Sequence, residues 1–202
     1  MRSSQTFATA VCWPAFLKKL AALLCFRSLA LLALASSLVW PTELRAQNAL
    51  QHEYEIKAAY LYNFINYIDW PAETLPAAGG TITIGIIGEN PFGSAFENLN
   101  GKQIKGRTLA VKTISSAKDL DACQMVFVCA SEKNRLPEVL SQLKDSRILT
   151  VSEIEGFAEQ GGIINFISER NKVRFEINLD AARHLGLTIS SELLKLAKLV
   201  KS

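Results

Sequence analysis

Histidine is almost missing from this chain: His52 and His184 are the only two. Neither stands at metal-ligand spacing from another His, Cys, Asp or Glu, so a zinc-type site has little to work with. Asp180 and His184 are four residues apart and could pair on one helical face. No G-x-S-x-G elbow supplies a serine nucleophile to complete a triad. Gly88 and Gly93 enclose four residues in the manner of a phosphate loop, but Ser94 stands where lysine is required. G-x-G is absent as well, so that stretch reads as a plain tight turn. Glu153 and Glu155 point to opposite sides of an extended chain and make no carboxylate pair. These gaps leave no catalytic constellation, and the sequence implies neither enzyme nor cofactor.

Long hydrophobic runs are also lacking. The longest uninterrupted one, Ser28 to Trp40, has 13 residues, whereas a membrane span needs roughly 20. Lys18, Lys19 and Arg27 precede it and Ala46 follows, the layout of a secretory signal peptide. Residues 1–46 are therefore expected to be removed on export; the alternative is an uncleaved N-terminal anchor. The leader holds five of the 22 Lys and Arg but only one of the 19 Asp and Glu, which leaves residues 47–202 with 17 against 18, a net charge of −1. No basic cluster remains for a nucleic-acid footprint.

Cysteine is scarce. Cys12 and Cys25 belong to the leader, leaving Cys123 and Cys129. Six positions apart on one strand places them roughly 20 Å from each other, far beyond the ~7 Å that a disulfide tolerates. They read as buried free thiols on one strand face, with a redox role or a bond to a partner as the alternative.

What is present begins with Glu53 to Pro71, EYEIKAAYLYNFINYIDWP. Ile56, Tyr60, Phe64 and Tyr67 form one apolar stripe at helical spacing; Ala58, Leu61, Ile65 and Ile68 form another. A helix greasy on two sides is buried or shared with a partner, and Pro71 stops it. Thr81–Ile87 reads as a strand buried on both faces. A capped helix over 91–101 comes next, with Pro91 at its first position, then a strand over 108–114. Met125–Val128 is a central strand, residues 136–143 an amphipathic helix, and residues 148–151 another strand. Residues 162–179 alternate as an antiparallel hairpin at a sheet edge, and a last helix starts at Ser190 or Ser191. The fold class is α/β: a single-domain sandwich with a mixed, mostly parallel sheet flanked by helices and a C-terminal antiparallel hairpin over residues 47–202.

Lys57-Ala-Ala-Tyr-Leu-Tyr-Asn-Phe-Ile-Asn-Tyr-Ile-Asp-Trp-Pro71, Thr83-Ile-Gly-Ile-Ile-Gly88, Phe175-Glu-Ile-Asn178 and Ile189-Ser-Ser-Glu-Leu-Leu-Lys-Leu-Ala197 occur in one colinear order. Together with the leader they resemble the YfiR family across residues 53–202. The resemblance implies a non-enzymatic periplasmic regulator, often dimeric, that represses an inner-membrane diguanylate cyclase and so lowers cyclic di-GMP output and biofilm formation. It further implies an outer-membrane lipoprotein that can sequester the regulator. Some members carry disulfide-forming cysteines in the first strand and around the hairpin; here Gly85 stands in that strand and residues 156–171 hold no cysteine, while Cys123 alone falls at a shared position. Candidate partner-binding residues are Tyr60, Phe64, Tyr67 and Trp70 on the helix, with Leu187, Ile189 and Leu193 as a second surface. The rival reading is a periplasmic small-ligand sensor for a transport or two-component system, using the crevice beyond Gly88-Glu89-Asn90.

Overall fold

Thr81–Ile87 buries Ile82, Ile84 and Ile86 on one face and Thr83 and Gly85 on the other, as a strand covered from both sides does, and it forms β2 near the centre of an eight-stranded sheet. The computed structural model describes residues 40–201. The expectation for residues 1–39 lies outside them. The chain divides into a unit ending at Ala49 and a compact unit from Leu50, and the sheet belongs to the second.

Helix α1 spans Trp40–Tyr67, so the expected cut after Ala46 falls within a helix. Two strands come next: β1 (Ile68–Asp69), separate from the main sheet, and then β2. One helical turn, α2 (Ser94–Glu97), leads to the ribbon β3 (Gln103–Ile104) and β4 (Arg107–Thr113). A second turn, α3 (Ala117–Leu120), precedes β5 (Met125–Val128). A 3-10 segment over Ala130–Arg135 enters α4 (Leu136–Leu143), which is succeeded by β6 (Leu149–Ser152). The hairpin β7 (Ile164–Glu169) and β8 (Lys172–Asn178) then leads through α5 (Leu179–His184), β9 (Thr188–Ile189) and α6 (Ser191–Leu194) to β10 (Lys198–Val200).

The sheet order is β10-β8-β7-β6-β5-β2-β4-β3. Only the β3–β4 and β7–β8 pairs are antiparallel; the rest are parallel. The architecture is thus the mixed, mostly parallel α/β sandwich with its hairpin near the C-terminus. One face buries Ile82, Ile84, Ile86, Met125, Phe127, Leu149 and Val151 beneath α1. On the other, Val126 and Val128 meet Leu136, Val139 and Leu143 of α4.

Several expectations are corrected. The predicted helix over 91–101 is a single turn. Pro91 lies outside it, because Asn90 Oδ1 accepts from Phe92 N (2.9 Å) and holds the segment in a turn. The hairpin is not at the edge: β10 pairs in parallel with β8, Lys198 beside Glu176. That pairing explains why Glu176 and Asn178, on the polar side of the alternation, are buried. The final helix stops at Leu194, and 198–200 become strand. The open side of β8 recruits a segment whose Leu/Lys alternation suits a strand as well as a helix.

Helix α1 is corrected too. Its exposed positions, among them His52, Glu55, Ala59, Asn63 and Asn66, form a polar stripe, so it has an ordinary outer face. Both apolar stripes turn inward except at Tyr67. Phe64 stacks against Phe166 (5.7 Å between ring centres) and meets Phe175 edge-on at 5.2 Å. Tyr60 contacts Phe175 at 5.4 Å. Leu61, Ile65 and Ile68 are fully buried. Burial contributes roughly 1.5–3 kcal/mol for each such side chain, enough to hold this helix on the sheet.

Candidate functional site

Helix α1 ends in a clasp. Ile68 and Asp69 pair antiparallel with Ile189 and Thr188, and Ser190 N donates to Tyr67 O at 2.9 Å. The two sets of partner-binding candidates therefore lie side by side, although the sequence separates them widely. Phe64, Trp70, Leu187, Ile189 and Leu193 are all buried in the chain's own core. Tyr60 is half-buried, and Tyr67, 40% exposed, is the member that faces solvent. Trp70 Nε1 donates to Gln124 O at 3.1 Å in a buried contact. Lys105 closes this end of the helix: its Nζ donates to Ile68 O (2.7 Å) and Asp69 Oδ1 (2.8 Å) and lies over the Trp70 ring.

A second cluster sits where α1 crosses the carboxyl end of β6. Lys57 reaches Glu153 Oε2 and Glu53 Oε1, each at 2.6 Å. Its side chain is almost wholly buried, and that of Glu153 nearly so. The Tyr54 hydroxyl donates to Glu153 Oε1 at 3.1 Å, and the Lys57 ammonium lies 4.6 Å from the Tyr54 ring centre. Burial, and then the Glu153 carboxylate, pushes the Tyr54 phenol above its ordinary range. A buried lysine bridged by two carboxylates is fully neutralised. The cluster fixes the helix to the sheet and offers no free base. It escaped sequence reasoning, although the signal was there: Lys57 interrupts the stripe Leu61, Phe64, Ile68 on its inward side.

The strand order reverses between β2 and β5, where open α/β sheets usually leave a ligand crevice. Here the chain fills it. Glu89 N donates to Ser131 Oγ (2.9 Å) and Cys129 N to Ile87 O (2.9 Å). Gly88 sits at φ +95, and a Cβ there would lie 2.4 Å from Ser131 Oγ. A cavity of about 320 Å³ adjoins this point, bounded by Ile114, Ser116, Glu132 and Arg135. A larger one, about 780 Å³, opens between α4 and α5 beside Leu140, Lys144, Asp180 and His184. Asp180 pairs there with Arg183 (3.7 Å) rather than with His184.

Cys123 and Cys129 are both free and buried. They flank β5 instead of sharing a strand face: Cys129 packs under α1 and Cys123 under α4. Residue 123 leaves the strand in a turn, which breaks the alternation that would have aligned them. Burial is the main cause that pushes Cys123 up to about 11 and Cys129 up to about 12. Among the described residues, no three or more His, Cys, Asp or Glu gather as a metal site. None of the described helices is long and apolar enough to cross a membrane.

A mixed sheet with helices on both faces, its polar clusters engaged in internal contacts, defines an α/β sandwich. Residues 54–198 match the YfiR/HmsC-like family, and the chain belongs to it. That family is one of periplasmic regulators and is not catalytic. No curated protein matches the chain. Among solved structures, an ABC domain in complex with L-Trp from Streptococcus pneumonia is similar, with TM-score 0.44 and 15% identity over 59% of this chain and 55% of the other. A conserved domain protein from Vibrio cholerae gives 0.42 and 15%, over 64% of this chain and 57% of that one. The chain thus spans little more than half of either.

Proposed function

We propose that this protein is exported by a cleaved leader over residues 1–46 and represses an inner-membrane diguanylate cyclase by direct contact. Cyclic di-GMP output and biofilm formation fall as a result. The observation that carries this reading is the family match over 54–198, which takes in α1, the clasp and the hairpin. A homodimer is the acting form, and an outer-membrane lipoprotein relieves repression by sequestering it. The contact runs over the clasped end of α1. Tyr67 reaches the cyclase there, while Tyr60, Phe64, Trp70, Leu187, Ile189 and Leu193 hold that end rigid from below.

Deleting the gene is expected to raise cyclic di-GMP and biofilm, and expression of the wild-type chain to restore both. Tyr67→Ser is expected to leave the protein folded yet fail to restore repression. Unchanged cyclic di-GMP on deletion overturns the reading. Full repression by Tyr67→Ser moves the contact away from the clasp.

A further inference from the structure

Among the described residues, four large hydrophobic side chains are well exposed: Leu50, Tyr67, Leu196 and Leu199. Two of them, Leu196 at 61% and Leu199 at 55%, stand three residues apart at the β10 edge of the sheet. Because β10 runs parallel to β8 with Lys198 beside Glu176, residues 195–197 approach from the side of Lys172 and Arg174. The leucines and the cations therefore share one edge but not one face: Leu199 takes the side of its register partner Ile177, and Lys198 that of Glu176. Segments 169–178 and 191–202 carry six Lys and Arg against three acids, Glu169, Glu176 and Glu192, in a region from 47 onward whose net charge is −1. Glu176 is already taken by Lys198 (2.7 Å). Among the described residues, Lys172, Arg174, Lys195 and Lys201 have no ion-pair partner, and all are exposed.

We propose that this edge is a membrane-docking surface. It lies on anionic phospholipid headgroups, with Leu196 and Leu199 entering the interface and the cations meeting phosphates. Three observations favour lipid over protein. Leucine is under-represented among protein hot spots and lysine is depleted from protein–protein interfaces, so Leu with Lys is the wrong pair for that use. Among the described residues, four of the best-formed cavities have no lining residue from 170–176 or 195–201. Lysines along an edge strand oppose the addition of another strand, including that of a second copy. A lipid surface asks for none of these; apolar insertion and diffuse positive charge suffice.

The test places a genetically encoded environment-sensitive fluorophore at position 199, and in a second protein at Glu97, exposed on α2 near the other edge. Each is titrated with vesicles of phosphatidylethanolamine and phosphatidylglycerol. The expected result is a blue shift at 199 and none at 97. Raising salt from about 0.1 M to about 0.5 M abolishes it, as the screening length shrinks to a few ångströms. Lys195→Gln with Lys201→Gln weakens apparent binding roughly tenfold or more, from about 1 kcal/mol per cation at an anionic surface. No shift at 199, an equal and salt-insensitive shift with neutral phosphatidylcholine, or a shift that needs only higher protein concentration each overturns the proposal, the last by showing self-association. The vesicles contain no protein, so the outcome is independent of the cyclase reading.

Discussion

Replacing Lys57 with methionine keeps the length and apolar stem of the side chain and deletes its charge. Glu153 then remains nearly buried, with the Tyr54 hydroxyl as its one hydrogen-bond partner. Removing one member of a buried pair typically costs about 3–5 kcal/mol, because the stranded charge has lost both water and its counter-ion. Glu153→Gln is not equivalent. Lys57 keeps Glu53 at 2.6 Å, and Glu53 is open to solvent, so the loss is about 1–2 kcal/mol, that of one charged hydrogen bond. The double variant carries no stranded charge and is expected to be more stable than Lys57→Met alone. Urea unfolding reads all three, since Trp70 is buried and is the only tryptophan after residue 46. For a domain of this size Lys57→Met lowers the melting point by roughly 6–20 °C. A loss below about 1 kcal/mol, or a larger one for Glu153→Gln than for Lys57→Met, refutes the assignment of the cluster as a desolvated tie between α1 and β6.

Three further outcomes are open to measurement. Cys123 and Cys129 have raised thiol values in the folded state, so unfolding releases their protons above about pH 9. Stability is fully present below that pH and falls by about 1.4 kcal/mol per pH unit per thiol as pH rises toward the folded values near 11 and 12; a flat profile between pH 9 and 10.5 would contradict the burial. A Cβ on Gly85 would lie 2.9 Å from Cys123 Sγ and 2.8 Å from Ile114 Cδ1. Gly85→Ala is therefore overpacked by about 1–3 kcal/mol, whereas Gly85→Cys is expected to close a disulfide with Cys123 under oxidising conditions, seen after unfolding as two fewer titratable thiols than in the reduced variant; persistence of all thiols sinks that geometry. Gly162 has the Phe157 ring 2.1 Å from where a Cβ would stand, so Gly162→Ala forces a fully buried ring to move and lowers the melting point by several degrees, or else Phe157 is free to swing away.

The sheet was legible wherever a strand is buried on both faces. Ile82, Ile84 and Ile86 repeat at period two and Val126 to Val128 are apolar without a break, and neither pattern fits one helical stripe. The amphipathic α4 was equally plain. The C-terminus was not, since Leu193 to Lys201 satisfies both periods and only the vacant side of β8 decides between them, a long-range fact. Helix α1 left two options open. Its two apolar stripes fit a helix that is either buried or shared with a partner; a wide sheet with Phe166 and Phe175 projecting upward buries most of both, and the polar line through Glu55, Asn63 and Asn66 marks the outer face. The candidate contact residues were read from hydrophobicity, which identifies core before it identifies surface; Tyr67, with its polar tip, is the one left in solvent. The Lys57–Glu153 tie joins positions 96 residues apart, and no local pattern could have named the second partner.

The clasp between β1 and β9 has a consequence for the order of assembly. Ile68 waits for Ile189, 121 positions later, and pairing across so long a separation is slow and comes late, after the intervening loop entropy has been met. Helix α1 is made before any strand of the sheet yet cannot be locked until nearly the whole polypeptide is available. The chain therefore stays open until its last residues have been made, and a truncation just before Thr188 is expected to yield a domain that never closes over the end of α1.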